Sequence, residues 1–185
     1  MTEKKSKTPG TVELVLVLFL ISAVTALLLG FVNFITEDRI AQIKAGDTSE
    51  AMTEVMPGDY KFVSLEGDWD SELVSSVYSA ESGGTVQGYV VQISVSGFAG
   101  AIEMAVGVTT DAEVTGVALI SHTETSGLGA EAEKESFRSQ YVGATDTVDL
   151  SKNGGTIDAI TGATITSEAV TSGVNAAIET VKSLN

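Results

Sequence analysis

The stretch Asp158–Ser167, with the sequence DAITGATITS, is where the C-terminal part of the chain changes character. A short apolar segment lies before it, and an amphipathic run follows it as far as Leu184. The stretch is therefore predicted to join the end of a strand to the last helix. Hydroxyl groups just ahead of a helix N-terminus, where N–H groups are unpaired, favour phosphate binding. From the residues alone, a polar turn that caps the helix is the simpler interpretation.

Upstream of this stretch, the sequence predicts an antiparallel meander of strands. Val86–Ser96 alternates apolar and polar residues with a period of two and is rich in Val and Ile, which is typical of a half-buried strand. The same patterns predict further strands at Phe62–Leu65, Leu73–Ser79, Ile102–Val108, Val114–Ile120 and Thr156–Ile157, and helices at Glu131–Tyr141 and about Ser167–Leu184. Antiparallel strands with one buried face and helices around them indicate an α+β domain.

The N-terminal segment Val12–Ile35 is predicted to be a transmembrane helix. No charged residue lies between Leu14 and Asn33, and an apolar helix of this length spans a bilayer core of about 30 Å. Three lysines precede the span, so residues 1–11 are predicted to be a cytoplasmic tail. The protein is then predicted to be anchored in the cell (inner) membrane, with the body of the chain on its extracytoplasmic side. A cleaved signal peptide is the alternative, although its apolar core would be shorter and no clear small-residue cleavage site follows Ile35.

Residues 36–83 are predicted to hold a linker helix and the start of the extracytoplasmic domain. The apolar pattern predicts one helix or two, broken near Gly46 and stopped by Pro57. The strand pattern becomes clearer only from Gly84 onward. The domain proper is therefore placed at residues 84–185.

The composition excludes several kinds of chemistry. The chain has no Cys and a single His, which removes thiolate nucleophiles, disulfides, cysteine-bound iron–sulfur clusters and multi-histidine zinc sites. The formal net charge of −15 opposes non-specific binding to nucleic acid and to anionic lipid surfaces. No metal site and no nucleic-acid partner are therefore predicted, and any redox chemistry must be carried by an organic cofactor.

Three motifs give the chain a resemblance to FMN-binding domains. Asp158–Thr164 (DAITGAT) is similar to the family's flavinylation motif, Asp-x-x-(Ser/Thr)-Gly-Ala-(Ser/Thr). His122–Gly129 (HTETSGLG) is similar to its H-x-E-T-P-G-L-G loop, with Ser126 in place of proline, and Gly97–Gly100 (GFAG) resembles its G-aromatic-x-G turn. The motifs occur in the family's order, and the similarity spans about residues 84–185. With its N-terminal helix, the chain resembles the G subunits of Rnf ion-translocating electron-transport complexes, whose FMN-binding domain is shared with the C subunits of Na⁺-translocating NADH:quinone reductases.

The resemblance implies that FMN is joined through its phosphate to Thr164, and that a separate, magnesium-dependent flavin transferase installs it from FAD. It also implies a set of cofactor-binding residues around this ester: Glu124, Thr125, Leu128, Gly129, Thr161, Gly162 and Ala163. Lys152 is the nearest cation in sequence and a candidate to balance the phosphate charge, although a solvated loop lysine is an equally good interpretation. Asp158 matches the motif and serves either recognition by the transferase or a turn bond. The loss of proline at Ser126 loosens the preset geometry of that loop.

The resemblance further implies a function in a membrane complex. The chain is expected to be an electron-carrying oxidoreductase subunit, partnered by other membrane subunits, in a complex that couples ferredoxin:NAD⁺ electron transfer to Na⁺ or H⁺ translocation. Two alternatives stay open: a stand-alone membrane-anchored flavin reductase, and a non-enzymatic acidic binding or assembly module. Trp69 and Phe98 could stack on a flavin, but burial in the core is the better prediction for both.

Overall fold

The computed structural model of the chain describes residues 10–67, 69 and 71–184, so nearly all of the predicted cytoplasmic tail lies outside the described residues. The chain divides into two compact units, Met1–Ala45 and Gly46–Asn185. The helices are α1 (Thr11–Val55), α2 (Glu135–Arg138) and α3 (Thr164–Leu184). The strands are β1 (Lys61–Leu65), β2 (Val74–Ser82), β3 (Thr85–Ser96), β4 (Ala101–Thr109) and β5 (Val114–His122). Short 3-10 helices lie at Gly129–Glu133, Ser139–Tyr141 and Ser151–Asn153.

The first unit contains the apolar part of α1. Between Thr11 and Glu37 this helix is long and apolar enough to cross a membrane, judged by length and composition. Its large apolar side chains are exposed, as contact with lipid requires. The hydroxyl of Thr25 donates to the carbonyl oxygen of Ile21 at 2.9 Å, so this polar group leaves no unpaired donor. These features suit a single-pass membrane anchor.

The second unit is built on one five-stranded sheet. Its strands follow the spatial order β1-β2-β3-β4-β5, and every neighbouring pair is antiparallel, which is the predicted meander. Val91 of β3 pairs with Val106 of β4, which in turn pairs with Val117 of β5. Strands β1 and β2 precede residue 84 and belong to the same sheet as the strands after it. The α+β prediction is confirmed.

One face of the sheet packs against α3. Buried residues of β3 and β4, including Ile93 and Met104, share a hydrophobic cluster with Val174 and Ile178 of the helix. A Cβ at Gly173 would collide with Met104 and approach Ile93 to 2.8 Å, so this glycine allows the helix backbone to lie close to the sheet. This contact fixes where α3 lies on the sheet.

The opposite face is covered as well, which corrects the prediction of a single buried face. Ala51, Met52, Val55 and Met56, at the end of α1, form a second buried cluster with one residue from each of four strands: Ala80, Val90, Ala105 and Ala118. A Cβ at Gly107 would collide with the carbonyl oxygen of Val55, and one at Gly116 would approach the Val55 Cα to 3.0 Å. The helix end therefore lies in a groove that glycines keep open.

Three local predictions differ from the structure. Helix α1 includes Gly46 without a break, because one helical glycine costs only about 1 kcal/mol and the following turns are buried on the sheet. The helix predicted at Glu131–Tyr141 is three short pieces, because Lys134 adopts an extended backbone, with ψ of 137°, between the first two. The strand predicted at Thr156–Ile157 is a single parallel bridge between Ile157 and Leu150.

Candidate functional site

A tight turn delivers the chain into α3. The N–H of Ala163 donates to the carbonyl oxygen of Ile160 at 3.0 Å, and Gly162 between them has φ of 78°. This left-handed conformation favours glycine in such a turn. A Cβ at Gly162 would also approach the Cδ2 atom of Leu128 to 3.2 Å, so the turn lies against the His122–Gly129 loop.

The N-terminus of α3 has no side-chain cap. The N–H of Ser167 donates to the carbonyl oxygen of Ala163 at 3.0 Å, which makes Ala163 the N-cap residue. Alanine has no side-chain oxygen to accept a hydrogen bond from the first turn. Helix geometry therefore leaves the N–H groups of Thr164, Ile165 and Thr166 without an intrahelical acceptor. Free N–H groups at the positive end of a 21-residue helix favour an anion.

The hydroxyl groups around this helix start have different partners. Thr166 is fully buried and donates to the carboxylate of Glu124, and the Ser167 hydroxyl bonds to the Ala163 carbonyl and the Ile160 N–H. Thr161 is exposed and Thr164 is half-buried, and within residues 10–184 as described neither hydroxyl has a hydrogen-bond partner. Thr164 alone combines a free hydroxyl with a position inside the first turn of the helix.

The carboxylate of Glu124 connects the three motifs. One oxygen, Oε1, accepts a hydrogen bond from the N–H of Ala99 at 3.0 Å, in the Gly97–Gly100 turn. The other oxygen, Oε2, accepts one from the hydroxyl of Thr166 at 2.7 Å, in α3. A Cβ at Gly97 would collide with Oε1, and a Cβ at Gly129 would collide with Oε2. Two glycines of the motifs therefore make the space that this carboxylate occupies.

Glu124 is buried, with 8% of its surface exposed, yet its surroundings favour the charged carboxylate. Burial works to raise its pKa, but the hydrogen bonds from Thr166 and from the backbone at Ala99 and Phe98 lower the pKa below its ordinary value. The resemblance implied that Glu124 lines the flavin. In the structure its two oxygens are already bound to protein donors, so it shapes the site by holding Ala99 and Thr166.

Three apolar side chains are exposed on the segments that this carboxylate joins. Phe98 is 68% exposed, Ile165 is 51% exposed and Leu128 is 43% exposed, and each belongs to one of the three joined segments. The prediction that Phe98 is buried is therefore wrong, whereas Trp69 is partly buried against the core. Exposed apolar groups from three adjoining segments suit a planar apolar ligand or a partner protein.

Three of the predicted site residues remain: Thr125, Lys152 and Asp158. Thr125 is exposed. The loop that follows it is also open, since a Cβ at Gly127 would have no atom within 4 Å. Lys152 forms an ion pair of 2.5 Å with Glu168, which lies one helical turn beyond Thr164 on the same face of α3. The backbone of Asp158 is hydrogen-bonded on both sides to Gln140, and its exposed carboxylate has no partner among the described residues.

Comparison with known proteins finds relatives over nearly the whole chain. The G subunit of the Na⁺-translocating ferredoxin:NAD⁺ oxidoreductase complex of Acetobacterium woodii is 36% identical, over 94% of this chain and 92% of that relative. The chain belongs to the family of G subunits of ion-translocating oxidoreductase complexes. The G subunit of the proton-translocating complex of Clostridium ljungdahlii is 37% identical, over 85% of this chain and 84% of the relative. The G subunit of the ion-translocating complex of Methanosarcina acetivorans is 36% identical, over 91% of this chain and 93% of the relative.

Residues 97–179 of the chain match the FMN-binding domain family. This range contains the Gly97–Gly100 turn, the His122–Gly129 loop and the Asp158–Thr164 turn. A solved structure also matches: the C subunit of the Na⁺-translocating NADH-quinone reductase from Parabacteroides distasonis, with a TM-score of 0.50 and 21% identity. The match covers 76% of this chain and 85% of that one, and it supports the fold.

Sequence reasoning missed two residues that build the site. Thr166 was seen only as part of the turn, yet it is the buried donor to Glu124. Gln140 was not singled out, yet it bonds to both backbone groups of Asp158. No short motif contains both members of either pair, since 42 residues separate Glu124 from Thr166 and 18 separate Gln140 from Asp158.

Proposed function

We propose that this protein carries FMN in a covalent ester to Thr164. In this role it is an electron-transfer subunit of a membrane complex that couples ferredoxin:NAD⁺ electron transfer to ion translocation. Other membrane subunits are its partners, and the coupling ion is Na⁺ or H⁺, the two ions named in the relatives from A. woodii and C. ljungdahlii. The observation that carries the proposal is a free threonine hydroxyl at an uncapped helix N-terminus, inside an FMN-binding domain.

Attachment requires a donor and a second enzyme. The Oγ1 atom of Thr164 bonds to the phosphorus of the FMN half of FAD, the bond to the AMP half breaks and AMP leaves. Because the Thr164 hydroxyl is hydrogen-bonded to no base among the described residues, a base of a separate flavin transferase takes the hydroxyl proton. The free carboxylate of Asp158, six residues earlier, is a surface feature that such an enzyme can recognise.

The chain's own residues fit a phosphoester at this position. The N–H groups of Thr164, Ile165 and Thr166 can stabilise its single negative charge at the positive end of α3. Glu124 holds the first turn of α3 to the Gly97–Gly100 turn. Leu128 and Ile165 provide apolar surface beside the ester. When bound, FMN supplies a group that accepts and releases electrons one or two at a time.

The attachment is tested by comparing two variants of Thr164. We expect Thr164→Val, co-expressed with a flavin transferase, to lose all in-gel flavin fluorescence after denaturing electrophoresis. Thr164→Ser is the matched control, because it keeps a hydroxyl at the same position and serine fits the motif there, and it should retain the fluorescence. Intact-mass measurement of the wild type should show one added FMN phosphoryl group. Fluorescence that persists in Thr164→Val would contradict the proposed linkage.

We further propose that residues 12–35 anchor the protein, with residues 1–11 in the cytoplasm and the FMN-binding domain, within residues 84–185, on the extracytoplasmic side. The charge asymmetry of the flanks supports this orientation, since three lysines precede the span. The chain has no Cys, so single cysteines report position cleanly. Ser172→Cys, on an exposed position of α3, should react with a membrane-impermeant maleimide in spheroplasts. Ser6→Cys should react only after lysis, and the reverse pattern would refute the orientation.

A further inference from the structure

The only histidine of the sequence lies between two partners of different kinds. Its Nδ1 atom is 3.1 Å from the backbone nitrogen of Glu124, which donates to it. Its Nε2 atom is 2.9 Å from Oε1 of Glu133, in the first 3-10 helix. A backbone N–H needs a lone pair to bond to, so Nδ1 is unprotonated. The ring proton then lies on Nε2, where the Glu133 carboxylate accepts it.

This hydrogen bond acts on the backbone of the residue whose side chain connects the three motifs. The Glu124 carboxylate reaches Ala99 with one oxygen and Thr166 with the other, so a rotation of its backbone would break one of these bonds. Gly97 and Gly129 enclose the carboxylate on two sides, which leaves it little room to compensate. The side chain of His122 is itself 11% exposed, so water competes weakly for Nδ1.

We propose that His122 is a positioning residue for the attachment site. Its Nδ1 lone pair holds the Glu124 backbone, Glu124 holds Thr166, and Thr166 places the first turn of α3 that contains Thr164. Glu133 stabilises the required tautomer from the far side of the ring, because it can accept only from Nε2–H. The effect of His122 on flavin attachment rests on the proposed function, whereas the hydrogen bond from the Glu124 N–H to His122 does not.

Two substitutions separate the roles of the two ring nitrogens. In His122→Asn the amide oxygen occupies the place of Nδ1 and can still accept from the Glu124 N–H. In His122→Gln the amide group reaches the place of Nε2 and can contact Glu133, but nothing accepts from Glu124. Both variants remove the ring and both remain neutral and polar. A purely structural role of the ring would make the two variants alike.

The first measurement uses the full-length chain in detergent, produced without a flavin transferase. Amide hydrogen exchange is followed for the peptide that contains Glu124. We expect wild type and His122→Asn to be protected alike, and His122→Gln to exchange about fivefold to tenfold faster, the effect of losing one hydrogen bond. Selective ¹⁵N-histidine labelling gives one residue to observe, and its spectrum should show the proton on Nε2.

The second measurement adds the transferase and FAD and follows the rate of flavin incorporation. Incorporation should be slower in His122→Gln and near the wild-type rate in His122→Asn. Equal protection of Glu124 in the two variants, or a wild-type ring protonated on Nδ1, would overturn the inference. Failure of the wild type to accept flavin at Thr164 would instead refute the proposed function, and the exchange data would still decide the role of His122.

Discussion

The end of α1 and the start of α3 are two helix termini on opposite faces of one sheet. They differ in the hydrogen-bond partners that the protein provides for them. At the end of α1 the carbonyl oxygen of Val55 accepts a hydrogen bond of 2.5 Å from the Thr115 hydroxyl. Arg138 bonds to the Glu54 carboxylate at 2.6 Å and to the Val117 carbonyl oxygen at 2.7 Å. Val55 itself is 1% exposed. The last carbonyl oxygen of this helix is therefore paired with a side chain of the protein.

The start of α3 is left open by comparison. Its N-cap residue is Ala163, the Thr164 hydroxyl has no described partner, and Ile165 is half exposed. A capping side chain at this position would add about 1 kcal/mol to the free energy of unfolding, and alanine does not provide it. Unsatisfied groups at a helix terminus are commonly where a ligand binds. The comparison teaches that the first terminus serves stability and the second suits the attachment of a cofactor.

The largest expected effect on stability is at the end of α1. Gly107→Ala places a Cβ against the carbonyl oxygen of Val55, so backbone must move and stability should fall by about 1–3 kcal/mol. Gly46→Ala is the control, because a Cβ there meets nothing within 4 Å and alanine favours the helix by roughly 0.5–1 kcal/mol. Urea unfolding followed by circular dichroism measures both. Equal stability of the two variants would show that the helix end does not lie in the glycine groove.

The second prediction compares two threonines of the open terminus. Thr166→Val removes the buried hydroxyl that donates to Glu124, and should cost about 1–2 kcal/mol of unfolding free energy. Thr164→Val removes a hydroxyl with no described partner, so its effect on the stability of the flavin-free protein should lie within about 0.5 kcal/mol. Urea unfolding again measures both. A destabilised Thr164→Val would mean that this hydroxyl has a structural role.

The smallest expected effect concerns the charge of Glu124. Its pKa lies below the ordinary value of 4.5, so the charged form is favoured by folding. The resulting stability is present above about pH 4.5 and is lost as the pH falls through the folded pKa. In Glu124→Gln the amide oxygen can still accept from the Ala99 N–H, and the amide nitrogen can donate to the Thr166 hydroxyl, so the change should cost only about 1 kcal/mol at neutral pH.

The test of this third prediction is the pH dependence of the urea midpoint. Between about pH 5 and pH 3, the wild type should lose stability more steeply than Glu124→Gln. Asp149 also has a lowered pKa, caused first by its hydrogen bond from Asn153, but it titrates in both proteins and cancels from the difference. Parallel curves would show that the Glu124 carboxylate is not held charged by Thr166 and Ala99.

The sequence predicted those parts of the fold that depend on local patterns. The alternation in Val86–Ser96 predicted β3, and the apolar spacing after Ser167 predicted α3, because burial of one face imposes a period of two or of 3.6. The start of α3 was predicted three residues late, since the sequence contains no capping side chain at Ala163 to mark it. The helix at Glu131–Tyr141 was predicted as one piece because no residue nearby in the sequence indicates the extended backbone of Lys134.

For the site as well, some features could be predicted from the sequence and others could not. The amino-acid sequence by itself determined which residues resemble a flavin attachment motif, the apolar anchor and the absence of thiol chemistry, because these depend on residue identity and spacing along the chain. Only the tertiary structure decided that Glu124 joins three motifs, that the His122 ring accepts from its backbone and that the Thr164 hydroxyl is left free. These are contacts between segments up to 42 residues apart, and they exist only after the sheet and α3 have packed. Hydrogen-bond partners are set by proximity in space, which a one-dimensional pattern does not contain.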